Sequence, residues 1–245
     1  MKVLVTGATG LLGSRMLKVF PSDWEVTGAY HSRPVPGMVE CGLGNSGSIL
    51  CAMEEGDCEW VVHCAAIRSP DVCAKDTRQA MEINARGTER VARAAAKAGA
   101  RLAYVSTDYV FSGEAPPYKE DDDPSPLNAY GHSKLAGERH ALALPGALVV
   151  RIPALYSLDP EAPNNVLAAL KTSLEEGESV PADDRCVRYY TLAEDVAAAF
   201  AFLMGMGQRG LIHVSAGQSS TKLEFLRAAA DAMGLDSALV LSAEP

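Results

Sequence analysis

Tyr130-Gly131-His132-Ser133-Lys134 sets a phenol and an ammonium four residues apart, hence on one face of any helix that carries them. A free phenol ionises near pH ~10, so at neutral pH it is a reluctant acid–base group. A neighbouring ammonium stabilises the phenolate, and Lys134 is expected to bring Tyr130 toward working pH. Upstream, Ser106-Thr107-Asp108 offers a hydroxyl, Thr107, that can donate a hydrogen bond to a substrate carbonyl. Thr107, Tyr130 and Lys134 together read as a proton-transfer site for a ketone–alcohol interconversion.

A second constellation lies at the start of the chain, in Thr6-Gly7-Ala8-Thr9-Gly10-Leu11-Leu12-Gly13. A strand-like run precedes it and a helical run follows. Gly7 permits a tight turn, Gly10 lets backbone approach a pyrophosphate, and Gly13 lets the helix pack closely. The helix N-terminus supplies N–H donors and partial positive charge to phosphates, so the turn reads as a dinucleotide site. An NAD-selective site places Asp or Glu at the end of the second strand, on the ribose 2′-hydroxyl. Here that end reads Ala29-Tyr30-His31-Ser32-Arg33, without an acid. Ser32 and Arg33 can hold a 2′-phosphate instead, so NADP(H) is expected, with NAD(H) the alternative. With such a cofactor the chemistry is hydride transfer to a ketone. Tyr130 gives its proton to the developing alkoxide, Thr107 orients the carbonyl and Lys134 holds the nicotinamide ribose.

The elements that position these groups follow from the apolar pattern. Strands are expected over 2–6, 25–30, 59–64, 101–106 and 147–152. Helices are expected over 11–20, 46–55, most of 77–98, with a break at Gly87, and 128–143. Continuous apolar strands, each followed by a helix, argue for a parallel sheet covered on both faces. The fold class is therefore α/β, a doubly wound Rossmann-type sheet. Strand ends on its carboxyl edge line the ligand crevice, which is where Thr107 falls. Residues 1–155 form the dinucleotide-binding unit. Residues 156–245 read as a small interleaved substrate lobe, some of it packing on the first unit. There, 192–203 and 222–233 are expected as helices, 211–214 as a strand, and 159–165 and 177–188 as loops.

Composition narrows the classes. The 245 residues are 48% hydrophobic and 22% charged, ordinary for a globular protein, and the net charge is −9. An acidic chain is a poor partner for nucleic acid or an anionic membrane. No apolar run approaches the ~20 residues of a membrane span. The opening Met1-Lys2 leads into a strand, not a signal peptide, and a cytoplasmic location is expected. Six cysteines (Cys41, Cys51, Cys58, Cys64, Cys73 and Cys186) form no C-x-x-C pair and read as reduced thiols, several of them buried; no metal site is expected. Glu120-Asp121-Asp122-Asp123 reads as a solvated loop, His63 as a packed side chain, and Met204 and Met206 as core. Arg151 and Arg188 can bind a diphosphate, since guanidinium matches phosphate bidentately.

The glycine spacing resembles the extended short-chain dehydrogenase/reductases. Within them, Ser106-Thr107-Asp108-Tyr109-Val110-Phe111-Ser112-Gly113 and Pro124-Ser125-Pro126-Leu127-Asn128-Ala129-Tyr130-Gly131-His132-Ser133-Lys134-Leu135-Ala136-Gly137-Glu138 resemble the dTDP-4-dehydrorhamnose reductase family. The likeness extends to His63-Cys64-Ala65-Ala66, Asn84 and Arg151-Ile152-Pro153. Pro116-Pro117-Tyr118-Lys119-Glu120, Arg151–Tyr156 and Arg188-Tyr189-Tyr190-Thr191 are similar to a relative in that family, the regulatory β subunit of methionine adenosyltransferase. The resemblance implies that Ala65, Ala66, Asn84 and Ile152 line the cofactor, and that Asp108, Val110, Arg151, Asn165 and Arg188 meet a nucleotide-linked 4-keto-6-deoxy-sugar. Asp108 is followed by Tyr109, which lacks the second carboxylate of the 4,6-dehydratases. The Tyr-Val-Phe string is likewise unlike most epimerases, an activity left as a lesser alternative. Cys186-Val187-Arg188-Tyr189-Tyr190 departs from the reductases' lobe motif, and Cys41-Gly42-Leu43-Gly44-Asn45 lacks their adenine-side acid. Two readings stay open: an NADPH-dependent reductase, and an NADP-binding regulatory subunit with little turnover. The only partners expected are a small-molecule substrate and, as an open option, a second copy in a homodimer.

Overall fold

The Val-Leu-Val run at the start forms β1 (Lys2–Thr6) in a computed structural model that describes residues 1–32 and 34–243, with side chains 55 and 56 left aside. β1 is followed by α1 (Leu11–Val19), β2 (Glu25–Tyr30), β3 (Val39–Glu40), α2 (Ser46–Gly56), β4 (Trp60–His63), α3 (Pro70–Lys75), α4 (Thr77–Ala80), α5 (Gly87–Ala98), β5 (Arg101–Thr107), α6 (Ala129–Leu142) and β6 (Leu148–Ile152). The remaining elements are β7 (Leu155–Tyr156), α7 (Val166–Glu175), β8 (Val180–Asp183), β9 (Thr191–Leu192), α8 (Ala193–Gly205), β10 (Gly210–His213), α9 (Lys222–Ala232) and β11 (Val240–Ala243).

Seven strands form one parallel sheet in the order β10-β6-β5-β4-β1-β2-β3. Strand order reverses at β1, whose residue Val3 pairs with Val26 on one side and Trp60 on the other. In such sheets the crevice beyond the carboxyl ends at the reversal point is the ligand site. The expected doubly wound α/β class is observed. One face is buried under α2 and α5 around Leu4, Ile49, Val61, Val91 and Leu102. The other lies under α1 and α8 around Val5, Met16, Val62, Val150 and Phe200. Phe200 is fully buried, and its replacement by Ala would cost about 3–5 kcal/mol.

The C-terminal third is divided. α8 and β10 complete the main sheet and its cover, while α7, α9 and the parallel pair β8–β11 enclose a small core of their own around Leu170, Leu174, Ala182 and Leu226. The segment 177–188, expected as loop, thus contains a strand. Pro181 and the flanking polar residues disguise it, and it forms because Ala182 is buried against α9 and its ladder is completed by Val240–Ala243. The helix expected over most of 77–98 is realised with one widened π turn at Met81–Arg86, and Gly87 does not break it. Met204 is buried as expected, but Met206 is 71% exposed beyond the end of α8.

Candidate active site

Gly7 has φ +68°, and its backbone lies so close to the end of β4 that a Cβ would sit 2.8 Å from the Ala65 nitrogen. A Cβ at Gly13 would overlap the Gly7 carbonyl oxygen. Gly13 therefore packs α1 against the turn itself. Ser14 makes the first helical hydrogen bond, to Gly10 at 2.9 Å. Leu11, Leu12 and Gly13 are left with N–H groups that have no acceptor within the helix. Gly10 caps α1 with extended backbone and no side-chain bond. This uncapped terminus, at the strand-order reversal, fits a pyrophosphate. Thr9 is exposed on the turn and Ser32 on the loop after β2, while Arg33 lies outside the described residues.

Ala65 and Ala66 follow β4 and are half-buried. Asn84, in the π turn, acts on this loop through its side chain. Its Oδ1 accepts from the Ile67 nitrogen at 2.8 Å, and its Nδ2 donates to the Ile67 oxygen and to Ser133 Oγ, both at 2.9 Å. Asn84 is 1% exposed and ties the crevice loop to α6; the extra residue of the π turn is what aims it there. Behind it, His63 bridges Thr6 Oγ1 at 2.7 Å and Thr88 Oγ1 at 3.2 Å, and burial pushes its imidazole down to about 3, so it is neutral. It is the packed side chain the sequence indicated.

The proton-transfer group forms where β5 ends. Thr107 begins a short turn over Asp108–Val110, its Oγ1 accepting from the Tyr109 nitrogen at 3.2 Å and donating to Asp108 Oδ1 at 3.1 Å. Asn128 caps α6 through the Gly131 nitrogen at 2.9 Å. A Cβ on Gly131 would overlap the Tyr109 carbonyl oxygen, so this glycine lets the first turn of α6 press against the Thr107 turn. This brings the Tyr130 phenol close enough to Thr107 for that hydroxyl to act on it. One turn on, Lys134 donates from Nζ to the Val105 oxygen at 2.7 Å and lies 4.0 Å over the Tyr104 ring.

The electrostatics differ from the sequence expectation. Burial raises the Tyr130 phenol above its ordinary value, Asp108 adds to this and Thr107 opposes it. Lys134 is not among the groups that act most on it; burial instead pushes Lys134 itself down to about 7. A phenol that keeps its proton at neutral pH is an acid, which is the form a reduction uses. Burial likewise raises Asp108, against Thr107 and Arg188.

Of the expected substrate residues, Asp108 and Arg188 are brought to Tyr130. Arg188 reaches over the Tyr109 ring at 5.1 Å, and Tyr109 packs edge-on against Tyr130 with centroids 5.6 Å apart. The other three are placed elsewhere. Arg151 is 5% exposed and clasps Glu138 bidentately, with Nε and Nη2 each 2.9 Å from a carboxylate oxygen. Asn165 donates to the Ser157 and Asp159 oxygens at 2.8 and 3.0 Å and caps α7, so it stitches its own loop. Val110 is fully buried and Ile152 nearly so. Sequence reasoning passed over Glu138, though it stands one further turn along the Tyr-x3-Lys spacing.

Tyr156, Tyr190 and Phe225 were also passed over. Tyr190 stacks on Phe225 at 4.1 Å and Tyr156 tilts against the same ring at 5.1 Å, forming an aromatic wall in the lobe. Glu120, read as a solvated residue, accepts from the His213 nitrogen at 2.9 Å and covers the edge of β10. Cys41, Cys58 and Cys73 are buried, while Cys51 and Cys186 are exposed. Among the described residues no group of His, Cys, Asp and Glu could hold a metal ion, and no helix is long and apolar enough to cross a membrane. Two cavities of about 220 and 170 Å³ lie by Met53 and Ala98 and by Leu170 and Leu226, away from Tyr130.

Comparison with known proteins agrees with this architecture. Methionine adenosyltransferase 2 subunit beta of Danio rerio is 39% identical over 244 residues, covering 96% of this chain and 75% of the relative. A hypothetical dTDP-4-dehydrorhamnose reductase from Sulfolobus tokodaii superposes with a TM-score of 0.89 at 27% identity, covering 100% of this chain and 86% of that one. The dTDP-4-dehydrorhamnose reductase of Bacillus anthracis str. Ames, solved in complex with NADP, gives 0.88 at 28% identity, covering 100% and 85%. The model of the RmlD substrate binding domain matches residues 1–244, and the chain belongs to that family.

Proposed function

We propose that the protein binds NADP(H) and reduces the keto group of a nucleotide-linked 4-keto-6-deoxy-sugar. The observation that carries this reading is the meeting of Thr107, at the carboxyl end of β5, with Tyr130 and Lys134 on the first turns of α6, where the Tyr130 phenol keeps its proton. NADPH, when bound, supplies the hydride. The first-turn N–H groups of Leu11, Leu12 and Gly13 would hold the pyrophosphate, on a turn that Gly7 lets pack against Ala65. Tyr130 passes a proton to the substrate carbonyl oxygen as negative charge develops there, while Thr107 turns its hydroxyl from Asp108 to the same oxygen. Lys134 turns its ammonium to the cofactor ribose. Arg188, poised over Tyr109, takes the substrate diphosphate. The absence of an acid after β2 supports NADPH over NADH.

NADPH oxidation with a dTDP-4-keto-6-deoxy-hexose tests this. Turnover with NADPH, and weaker turnover with NADH, is expected; NADPH binding without oxidation would overturn the assignment as a reductase. A second reading, an NADP-binding subunit of a larger assembly, is favoured by the 39% identity to a protein named as a subunit and by the commitment of Arg151 and Asn165 to internal bonds. It predicts NADPH binding, no oxidation and a copurifying partner.

A further inference from the structure

Lys134 is a buried cation without an ion-pair partner. It is 3% exposed, and what meets its ammonium is a backbone carbonyl at 2.7 Å and the face of Tyr104 at 4.0 Å. No carboxylate among the described residues lies within salt-bridge distance of it. Such a group loses its proton unless a charge compensates for the lost hydration. Four residues on, the same face of α6 carries Glu138, 2% exposed. Its carboxylate cannot turn away: Ser106 donates to Oε1 at 2.5 Å, and Arg151 reaches both oxygens from β6. Arg151 is itself fixed between the Phe111 ring at 4.8 Å and His213, which is tied to Tyr118 and Glu120.

We propose that Glu138, clamped by Ser106 and Arg151, is a positioning residue whose fixed negative charge keeps Lys134 an ammonium, the form that can bind the cofactor ribose. Every other titratable neighbour acts weakly or the wrong way. His63 on β4 is neutral, Tyr104 on β5 keeps its proton through burial, and Tyr130 keeps its own. Cys64 after β4 favours the charged ammonium but has its thiol pushed up by burial. Glu138 is first among the groups that oppose desolvation of Lys134.

What the Lys134 charge does rests on the proposed cofactor reading; the charge itself does not, and can be measured without cofactor. In full-length protein labelled with 13C at lysine Cε, Lys134 is assigned by its loss in K134M, and its titration is followed by NMR. The wild-type resonance should titrate near neutrality. E138Q should lower that midpoint by about one unit or more, since an effective dielectric constant near 20 still transmits such a charge over one helical turn. Because E138Q leaves Arg151 buried and unpaired, the double variant E138Q/R151M is measured too, and should shift in the same direction by less. An unmoved midpoint in both variants overturns the proposal. NADPH affinity then separates the two claims. In the wild type it should fall as pH rises through the Lys134 midpoint, and in the variants it should fall correspondingly earlier. A wild type that binds no NADPH at any pH overturns the cofactor reading, whatever the titration shows.

Discussion

Replacing Lys134 by Met should stabilise the protein at neutral pH, and the gain should vanish in alkali. Burial brings the ammonium from 10.5 to about 7 in the folded chain. The unfolded chain therefore binds the extra proton between those values, so stability is lost as pH falls through that window and recovered as pH rises. At about 1.36 kcal/mol per unit, the burden at pH 7 comes to about 4 kcal/mol. Methionine fills similar volume and removes it, but also forfeits the 2.7 Å bond to the Val105 oxygen, worth about 1 kcal/mol. A net gain of about 3 kcal/mol at pH 7, falling to about zero at pH 10, is the expectation. Urea unfolding of both proteins at the two pH values reads it directly. A K134M protein less stable at pH 7, or one with the same advantage at both pH values, would refute the claim that a functional charge is held here against the fold's own preference.

Other consequences are quicker to state. Gly13→Ala drives a methyl into the Gly7 carbonyl; NADPH affinity by fluorescence titration should drop about tenfold or more, with a melting temperature lowered by several degrees. Arg151→Met strands the Glu138 carboxylate in the core and should cost about 3–5 kcal/mol in urea unfolding; an unaltered protein with only a raised substrate KM would restore Arg151 as a diphosphate ligand. Asn84→Ala releases the Ile67 backbone and Ser133 together and should cost about 1–3 kcal/mol, with faster amide exchange at Ile67.

Much of the sheet was legible because β1, β4, β5 and β6 are continuous apolar runs buried on both faces. The two-residue strands β3, β7 and β9 carry no periodicity at all, and β8 is held by partners far along the chain. The glycine turn and the Thr107–Tyr130 pair were readable from local chemistry, since each is set by residues adjoining one strand end. The roles of Arg151, Asn165 and Asn84 were not. Residue type alone does not separate an arginine aimed at phosphate from one closed on a buried glutamate. An asparagine that binds ligand looks the same in sequence as one that stitches its own loop. Glu138 was the readable clue: a carboxylate one turn beyond Lys134 on the buried face demands a cation, and β6 supplies one.

The central claim is that Tyr130 is the acid in an NADPH-dependent reduction. NADPH oxidation at saturating dTDP-4-keto-6-deoxy-hexose, compared between wild type and Tyr130→Phe, tests it most directly. The wild type should turn over, and the variant should bind NADPH with unchanged affinity while losing at least about 10²-fold in rate. A Tyr130→Phe protein that turns over like the wild type would contradict the claim.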